Sequence, residues 1–288
     1  MTGATGLTSV VIVAANSGAD LGICVECALA SSAPVEVIVS DNASRDGSIQ
    51  PLTRRWPNDA RLRILRNGAN LGFGAGCNRG AVQAQGDVLL FLNPDCAIEP
   101  QTIERLRGFM APDIGLLGAA IVDAAGDAEP ASRRRDPLLR RAALSMLGLD
   151  AINIAADASD LQDVDVVSGA AMLLPRALFE RIGGFDEGYF LHVEDIDVCR
   201  RVRDAGLRVV CANAVRIVHG KGTSSRSRPF FVAYHKHRGM WRWFRKFDPA
   251  ARNPLKRALV WCGIWAHYAL LTPLFAWRWL RARISASD

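Results

Sequence analysis

The sequence predicts an α/β fold, a mostly parallel sheet with helices on both faces. Three observations carry that expectation. Short apolar, β-branched runs alternate with stretches whose apolar residues recur at helical spacing, the signature of strand–helix–strand units. The runs are continuously apolar, as strands covered on both faces are. Each run stops at polar turn residues, which in a parallel sheet share the rim where ligands bind.

Taken in order, Val10 to Val13 is a strand ending at Ala14-Ala15-Asn16, and Asp20 to Ala30 has helical spacing. Val35 to Val39 is the second strand, closed by the turn-rich Ser40 to Ser48. Leu62 to Leu65 is a third, closed by Asn67 to Gly72, and Ala75 to Gln85 reads as a helix. Val88 to Leu92 is the most apolar strand and ends at Asn93-Pro94-Asp95. A helix over Gln101 to Met110 and a strand over Ile114 to Val122 follow. Periodicity is weakest over Asp123 to Asp163, which carries Arg133-Arg134-Arg135. Val164 to Leu174 reads as strand, and Arg176 to Ile182 and Asp195 to Ala205 are helices stopped by Gly183 and Gly206. Leu207 to Cys211 and Val215 to Val218 close the sheet as two strands. Asn16, Asp41, Asn70 and Asp95 all fall just past strand ends.

An apolar share of half the 288 residues excludes a disordered chain and supplies a core. Charge is uneven: residues 226–288 hold 13 Lys/Arg against Asp248 and Asp288, a net +11, while residues 1–225 carry −5. Such a tail seeks an anionic surface. Residues 258–277 contain no Lys, Arg, Asp or Glu, are flanked by basic residues and include Trp261, Trp265 and Trp277. That composition favours a membrane over nucleic acid, as one C-terminal spanning helix or as an in-plane helix. A helix pair packed on the body is the structural alternative. The N-terminus lacks a secretory leader pattern and the seven cysteines are an odd count, so a cytoplasmic location is expected.

The stretch from Gly183 to Asp197 is richest in chemistry: a Gly-Gly turn, a short aromatic strand, then Glu194, Asp195 and Asp197 opening a helix. Helix capping explains one carboxylate and pairing of Asp197 with Arg200 or Arg201 explains another. The helix dipole favours a charged carboxylate at Asp195, a mild base suited to a hydroxyl that loses its proton late. Asp95, presented on a proline turn, offers hard oxygen to a divalent cation, and His219, opening a Gly-rich loop, offers an imidazole. Asp41 leaves its strand first and faces the rim, where it would accept from a base N–H or a ribose hydroxyl; Ser44 and Asp46 read as helix caps. Gly72 to Gly80 imitates a dinucleotide fingerprint, but Cys77 occupies the sixth place and the segment follows the third strand.

Together, Val10 to Ser17, Asp41 to Ser48, Asn70 to Gly80, Asn93-Pro94-Asp95, Gly184-Phe185-Asp186-Glu187, Glu194-Asp195-Ile196-Asp197 and His219-x-x-Gly222-x-Ser224 resemble a family-two inverting glycosyltransferase. The resemblance covers residues 7–225 and is closest to the bacterial rhamnosyltransferase-like branch with the GT-A (Rossmann-like) fold. It implies a catalytic domain over 1–225 and a basic, aromatic, membrane-associating helical extension over 226–288. It implies transfer from a nucleotide-diphosphate sugar to a polyprenyl-diphosphate-linked glycan acceptor at the cytoplasmic face of the inner membrane. Asp195 would take the acceptor proton and Glu194 orient the acceptor, while Asp95 and His219 would bind Mg²⁺ or Mn²⁺. Ala14, Asn16, Asp41, Asn70, Asn93, Asp95 and Gly169 would line the donor site. Two departures stand out: Asn93 where the family often has aspartate, and Ala15 where it often has tyrosine. A sugar-nucleotide nucleotidyltransferase is the enzyme alternative, although Ala14 to Gly18 lacks the basic loop a triphosphate needs. An inactive membrane scaffold is the non-enzyme alternative.

Overall fold

A computed structural model describes residues 6–220 and 228–284. Its elements are β1 (Thr8–Ala14), α1 (Asp20–Leu29), β2 (Val35–Asp41), α2 (Gln50–Arg55), β3 (Leu62–Arg66), α3 (Phe73–Val82), β4 (Val88–Leu92), β5 (Cys96–Ala97) and α4 (Thr102–Gly108). There follow β6 (Ile114–Val122), α5 (Leu139–Met146), β7 (Leu161–Asp163), β8 (Ala171–Pro175), α6 (Arg176–Arg181), α7 (Glu194–Asp204), β9 (Arg208–His219), α8 (Pro229–Phe247) and α9 (Pro254–Ile284). The strands form one sheet in the order β3-β2-β1-β4-β8-β6-β9-β5, with β7 paired to β9. From β3 to β4 the neighbours are parallel. Beyond β4 the sheet is mixed, because β8 runs antiparallel to both β4 and β6.

Strand β1 shows why the apolar runs were continuous. All its residues are buried. Val10 and Ile12 join the core beneath α1 and α4, and Val11 and Val13 join the opposite core with α3, α6 and α7. Successive strand side chains point to opposite faces, so both parities must be apolar.

Three expectations change. Residues 164–170 are not strand: Arg134 and Val166 exchange hydrogen bonds at 2.9 Å in each direction, and Gly169 sits in the turn that leads into β8. The two closing strands are one, β9, whose pairing with β6 jumps from Ala212 to Arg216 across a bulge. The aromatic segment before α7 is a turn, with His192 at φ 64° and Val193 at φ 74°.

The C-terminal segment is not a separate unit at its start. Trp243 of α8 is fully buried in the core shared with α3, α6 and α7, so this half matches the packed-helix alternative. Helix α9 contains all of residues 258–277 within 31 residues, Pro273 included. Among the described residues no helix is long and apolar enough to cross a membrane, so the spanning form finds no support.

Asp186 fastens α8 to the body. Its Oδ1 accepts from Arg242 Nη2 at 2.7 Å and its Oδ2 from Lys246 Nζ at 2.8 Å. Burial alone would raise this carboxyl, but the hydrogen bonds from Lys246 and Arg242 outweigh it and bring it down to about 2. A folded pKa below the unfolded value of about 3.9 means stability present above that value and lost as pH falls toward about 2. Asp186→Asn is expected to lower Tm at pH 7, with the gap from wild type closing between about pH 4 and 2; differential scanning calorimetry across that range checks it.

Candidate active site

A cavity of about 1550 Å³ opens at the carboxyl ends of β1 and β4 and runs to α8 and α9. Its polar end is lined by Asn16, Asn42, Asn70, Asn93, Asp95 and His219. Asn16 adopts a left-handed backbone, φ 57°, which asparagine tolerates. Its Oδ1 accepts from Arg45 N–H at 2.7 Å, and its own N–H donates to Ser44 Oγ at 3.1 Å. Asp46 Oδ2 accepts from Gly18 N–H at 2.8 Å. Ser44 and Asp46 therefore tie the loops after β1 and β2 together, and α2 has no side-chain cap.

Asp41 and Ala14 do not line the cavity. Asp41 is 2% exposed; its Oδ1 accepts from Ser44 N–H at 2.9 Å and its Oδ2 lies 3.5 Å from Arg66. Ala14, fully buried, accepts at its carbonyl from Asn42 N–H at 2.8 Å. The next residue, Asn42, is the one that reaches the cavity. Its Nδ2 donates to Gly72 O at 2.9 Å and to Asn70 Oδ1 at 3.3 Å.

The sheet register makes the Asp95–His219 pair. Antiparallel β5 and β9 place Cys96 opposite His219, so the preceding Asp95 comes beside the imidazole, with Oδ1 and Nε2 3.2 Å apart. The other ring nitrogen, Nδ1, lies 3.2 Å from Glu129 Oε1. Burial alone would lower this imidazole's pKa, but Asp95 and Glu129 outweigh it and raise it. With the ring proton on Nδ1 facing Glu129, Nε2 and Asp95 Oδ1 are two lone pairs turned on each other. Asn93 Nδ2 also lies 3.3 Å from that Nε2, and an imidazole nitrogen beside a carboxylate oxygen is a donor set that fits a divalent ion. Cys96 lies in the same cluster, but burial, with Cys24 and Asp95 nearby, pushes its thiol up well above the usual range. A protonated thiol is a poor ligand, which leaves Asp95 and His219.

The carboxylate pair lies one strand away. Asn93 N–H donates to Ala170 O at 2.9 Å, and the adjacent Gly169 N–H donates to Asp195 Oδ2 at 3.3 Å. A Cβ on Gly169 would sit 3.2 Å from Asp195 Cβ, so a larger residue there would have to push the carboxylate aside by a few tenths of an ångström. Asp95 and Asp195 therefore share one edge of the sheet. Asp195 is not on the cavity lining, because Arg134 Nη2 covers its Oδ2 at 2.5 Å. Glu194 is 6% exposed, and its Oε2 has no hydrogen-bond partner among the described residues. Burial, with Asp195 beside it, raises this carboxyl strongly, which favours a neutral acid. Asp197 does pair with Arg201, at 2.5 Å, as the spacing predicted.

The left-handed His192–Val193 turn aims α7. A β-branched residue at positive φ is strained and needs surrounding packing to hold it. On one side Phe73 N–H donates to Phe190 O at 3.0 Å, and a Cβ on Gly72 would lie 2.4 Å from that oxygen. On the other side Gly239 of α8 packs against Val193. The glycine-rich stretch before and in α3 thus serves close packing, not a dinucleotide phosphate.

The sequence matches the family model described as "Glycosyl transferase family 2" over residues 9–183. The chain belongs to this family. It is a glycosyltransferase with the GT-A architecture. It is 32% identical over 246 residues to an N-acetylglucosaminyl-diphospho-decaprenol L-rhamnosyltransferase of Mycobacterium tuberculosis, covering 74% of this chain and 79% of that protein. It is also 32% identical over 149 residues to the rhamnosyltransferase WbbL of Escherichia coli K12, covering 50% of this chain and 56% of that one. Among solved structures, a mannosyltransferase of Pyrobaculum calidifontis in complex with GDP-Man and Mn²⁺ superposes with a TM-score of 0.60 at 18% identity. That match covers 97% of this chain and 74% of the other, and it bears on fold alone.

In this glycosyltransferase the residues that sequence reading missed are Asn42, Glu129, Arg134 and His192. Asn42 had a signal, standing one place past Asp41. Glu129 and Arg134 had none, lying in the segment without periodicity. Gly222 and Ser224 of the last motif lie outside the described residues. Glu129→Gln is expected to weaken Mn²⁺ binding by about 10- to 100-fold by loosening His219; titration of free Mn²⁺ by electron paramagnetic resonance measures it.

Proposed function

We propose that this enzyme moves rhamnose or a related hexose from a nucleotide-diphosphate donor, with inversion, to a hydroxyl of a polyprenyl-diphosphate-linked glycan in cell-surface polysaccharide synthesis. The observation that carries the reading is Asp95 with His219 on one side of the Gly169–Ala170 turn and Asp195 on the other. Both named relatives are rhamnosyltransferases, which supports the sugar, and the diphospho-decaprenol acceptor of the Mycobacterium tuberculosis relative supports the lipid-linked acceptor.

The chain's residues then divide the work. Asn16, Asn42, Asn70 and Asn93 offer neutral donors and acceptors to the nucleotide and ribose. Asp95 and His219 would hold Mg²⁺ or Mn²⁺, which when bound offsets the negative charge gathering on the departing diphosphate. The acceptor oxygen bonds to the anomeric carbon as the bond to the diphosphate oxygen breaks; the electron pair leaves with the diphosphate and the acceptor proton passes to Asp195. Arg134 is a positioning residue: it fixes the carboxylate and must give way at Oδ2 when the hydroxyl arrives. Glu194, buried and neutral, supports Asp195 from behind, not the acceptor directly.

Asp195→Asn is expected to cut transfer by about 10²- to 10⁴-fold with donor binding retained. Nucleotide release from a panel of nucleotide sugars, with EDTA abolishing it, reads the result; no release by the wild type would favour the scaffold alternative, full activity in the variant would remove Asp195 as the base, and pyrophosphate release from a triphosphate would favour the nucleotidyltransferase. Membrane association rests on α9, which exposes Leu255 at 68%, Trp261 at 48% and Leu270 at 79%. Removing residues 226–288 would also remove Trp243 from the core, so surface charge is the cleaner probe. Flotation with anionic vesicles should fall sharply in a Leu270→Glu, Trp261→Glu double variant whose Tm is unchanged; equal flotation would defeat the idea.

A further inference from the structure

The cavity is larger than the roughly 300–1,000 Å³ of an ordinary small-molecule pocket, at about 1550 Å³. Its two ends differ in chemistry. Beyond the asparagine-lined end it continues between α5, α8 and α9, where Leu139, Val232, Met240, Val260, Ile264 and Leu271 form the walls. Arg228, Lys236 and Lys256 also line it. Among the described lining residues the one carboxylate is Asp95, which belongs to the cation pair with His219.

Helix α8 shows that these cations are not ordinary structural charges. Its Arg242 and Lys246, about two and three turns beyond Lys236, are neutralised by Asp186 and Asp197. Lys236, on the cavity side, has no carboxylate partner among the described residues, and neither do Arg228 and Lys256. A groove with apolar walls, and with Arg228 and Lys236 about two turns apart at one end of α8 and without a carboxylate partner among the described residues, complements an anion that carries a long apolar tail. The groove is continuous with the donor end, so its occupant's headgroup lies beside the reacting sugar.

We infer that the groove between α8 and α9 is the seat of an isoprenoid diphosphate, with Arg228 and Lys236 on the diphosphate and Ile264 and Val260 along the first isoprene units. This deepens the acceptor reading above and rests on it. It makes the tail a substrate-binding element as well as a membrane contact.

The test measures binding of geranylgeranyl diphosphate to the full chain in detergent, by quenching of tryptophan fluorescence and by calorimetry. Geranylgeraniol and inorganic pyrophosphate serve as the two half-ligands. The diphosphate should bind at least about tenfold tighter than either half. Lys236→Glu and Ile264→Asp should each weaken it about tenfold or more, with Tm held, and Lys236→Arg should restore binding. Affinity no better than that of the alcohol or of pyrophosphate overturns the inference, as does unchanged binding in both weakening variants. Binding as expected without sugar transfer supports the groove and sinks the acceptor reading. Transfer to a soluble acceptor without such binding sinks the groove alone.

Discussion

The structure depends on one strained turn and the two helices that hold it. His192 and Val193 occupy left-handed backbone, a conformation that a β-branched residue does not keep unaided. Helix α3 grips the turn through the Phe73–Phe190 hydrogen bond, and α8 closes on its other side with Gly239 against Val193. Asp186 then locks α8 in place through Arg242 and Lys246. The consequence is directional: α7 starts at Glu194 with Asp195 turned toward the Gly169 turn.

The opposite wall of the site is set by sheet register. Pairing of Cys96 with His219 joins residues far apart in the chain and leaves Asp95 next to an imidazole. Glu129 holds that imidazole from behind. One wall is thus a rigid ladder and the other a clamped loop, and they meet where Asn93 bonds to Ala170. Catalytic groups supported by locked neighbours need little reorganisation when charge develops.

Burial assigns different duties to adjacent carboxylates. Glu194 is enclosed and held toward its neutral form, Asp195 is covered by Arg134, and Asp197 is fully buried between Arg201 and Lys246. Three acids within four positions thus meet three different environments. In the basic tail Arg242 and Lys246 are balanced by Asp186 and Asp197, while Arg228 and Lys236 line the cavity without a carboxylate partner among the described residues.

The parallel half of the sheet was legible in the sequence because strands buried on both faces must be largely apolar at both parities, as Val10 to Val13 of β1 and all of β4 are. The ends of those strands, and hence Asn16, Asn70, Asn93 and Asp95 at the cavity, were legible for the same reason. Successive side chains of a strand point to opposite sides, so that Asp41 lies buried while Asn42 lines the cavity, a difference of one position that strand pattern alone does not settle. Arg134 over Asp195, Glu129 behind His219, and Trp243 in the core were decided only by tertiary structure. Each of these contacts joins segments far apart in the chain, and no local period or spacing records where an irregular loop or a tail helix will come to rest.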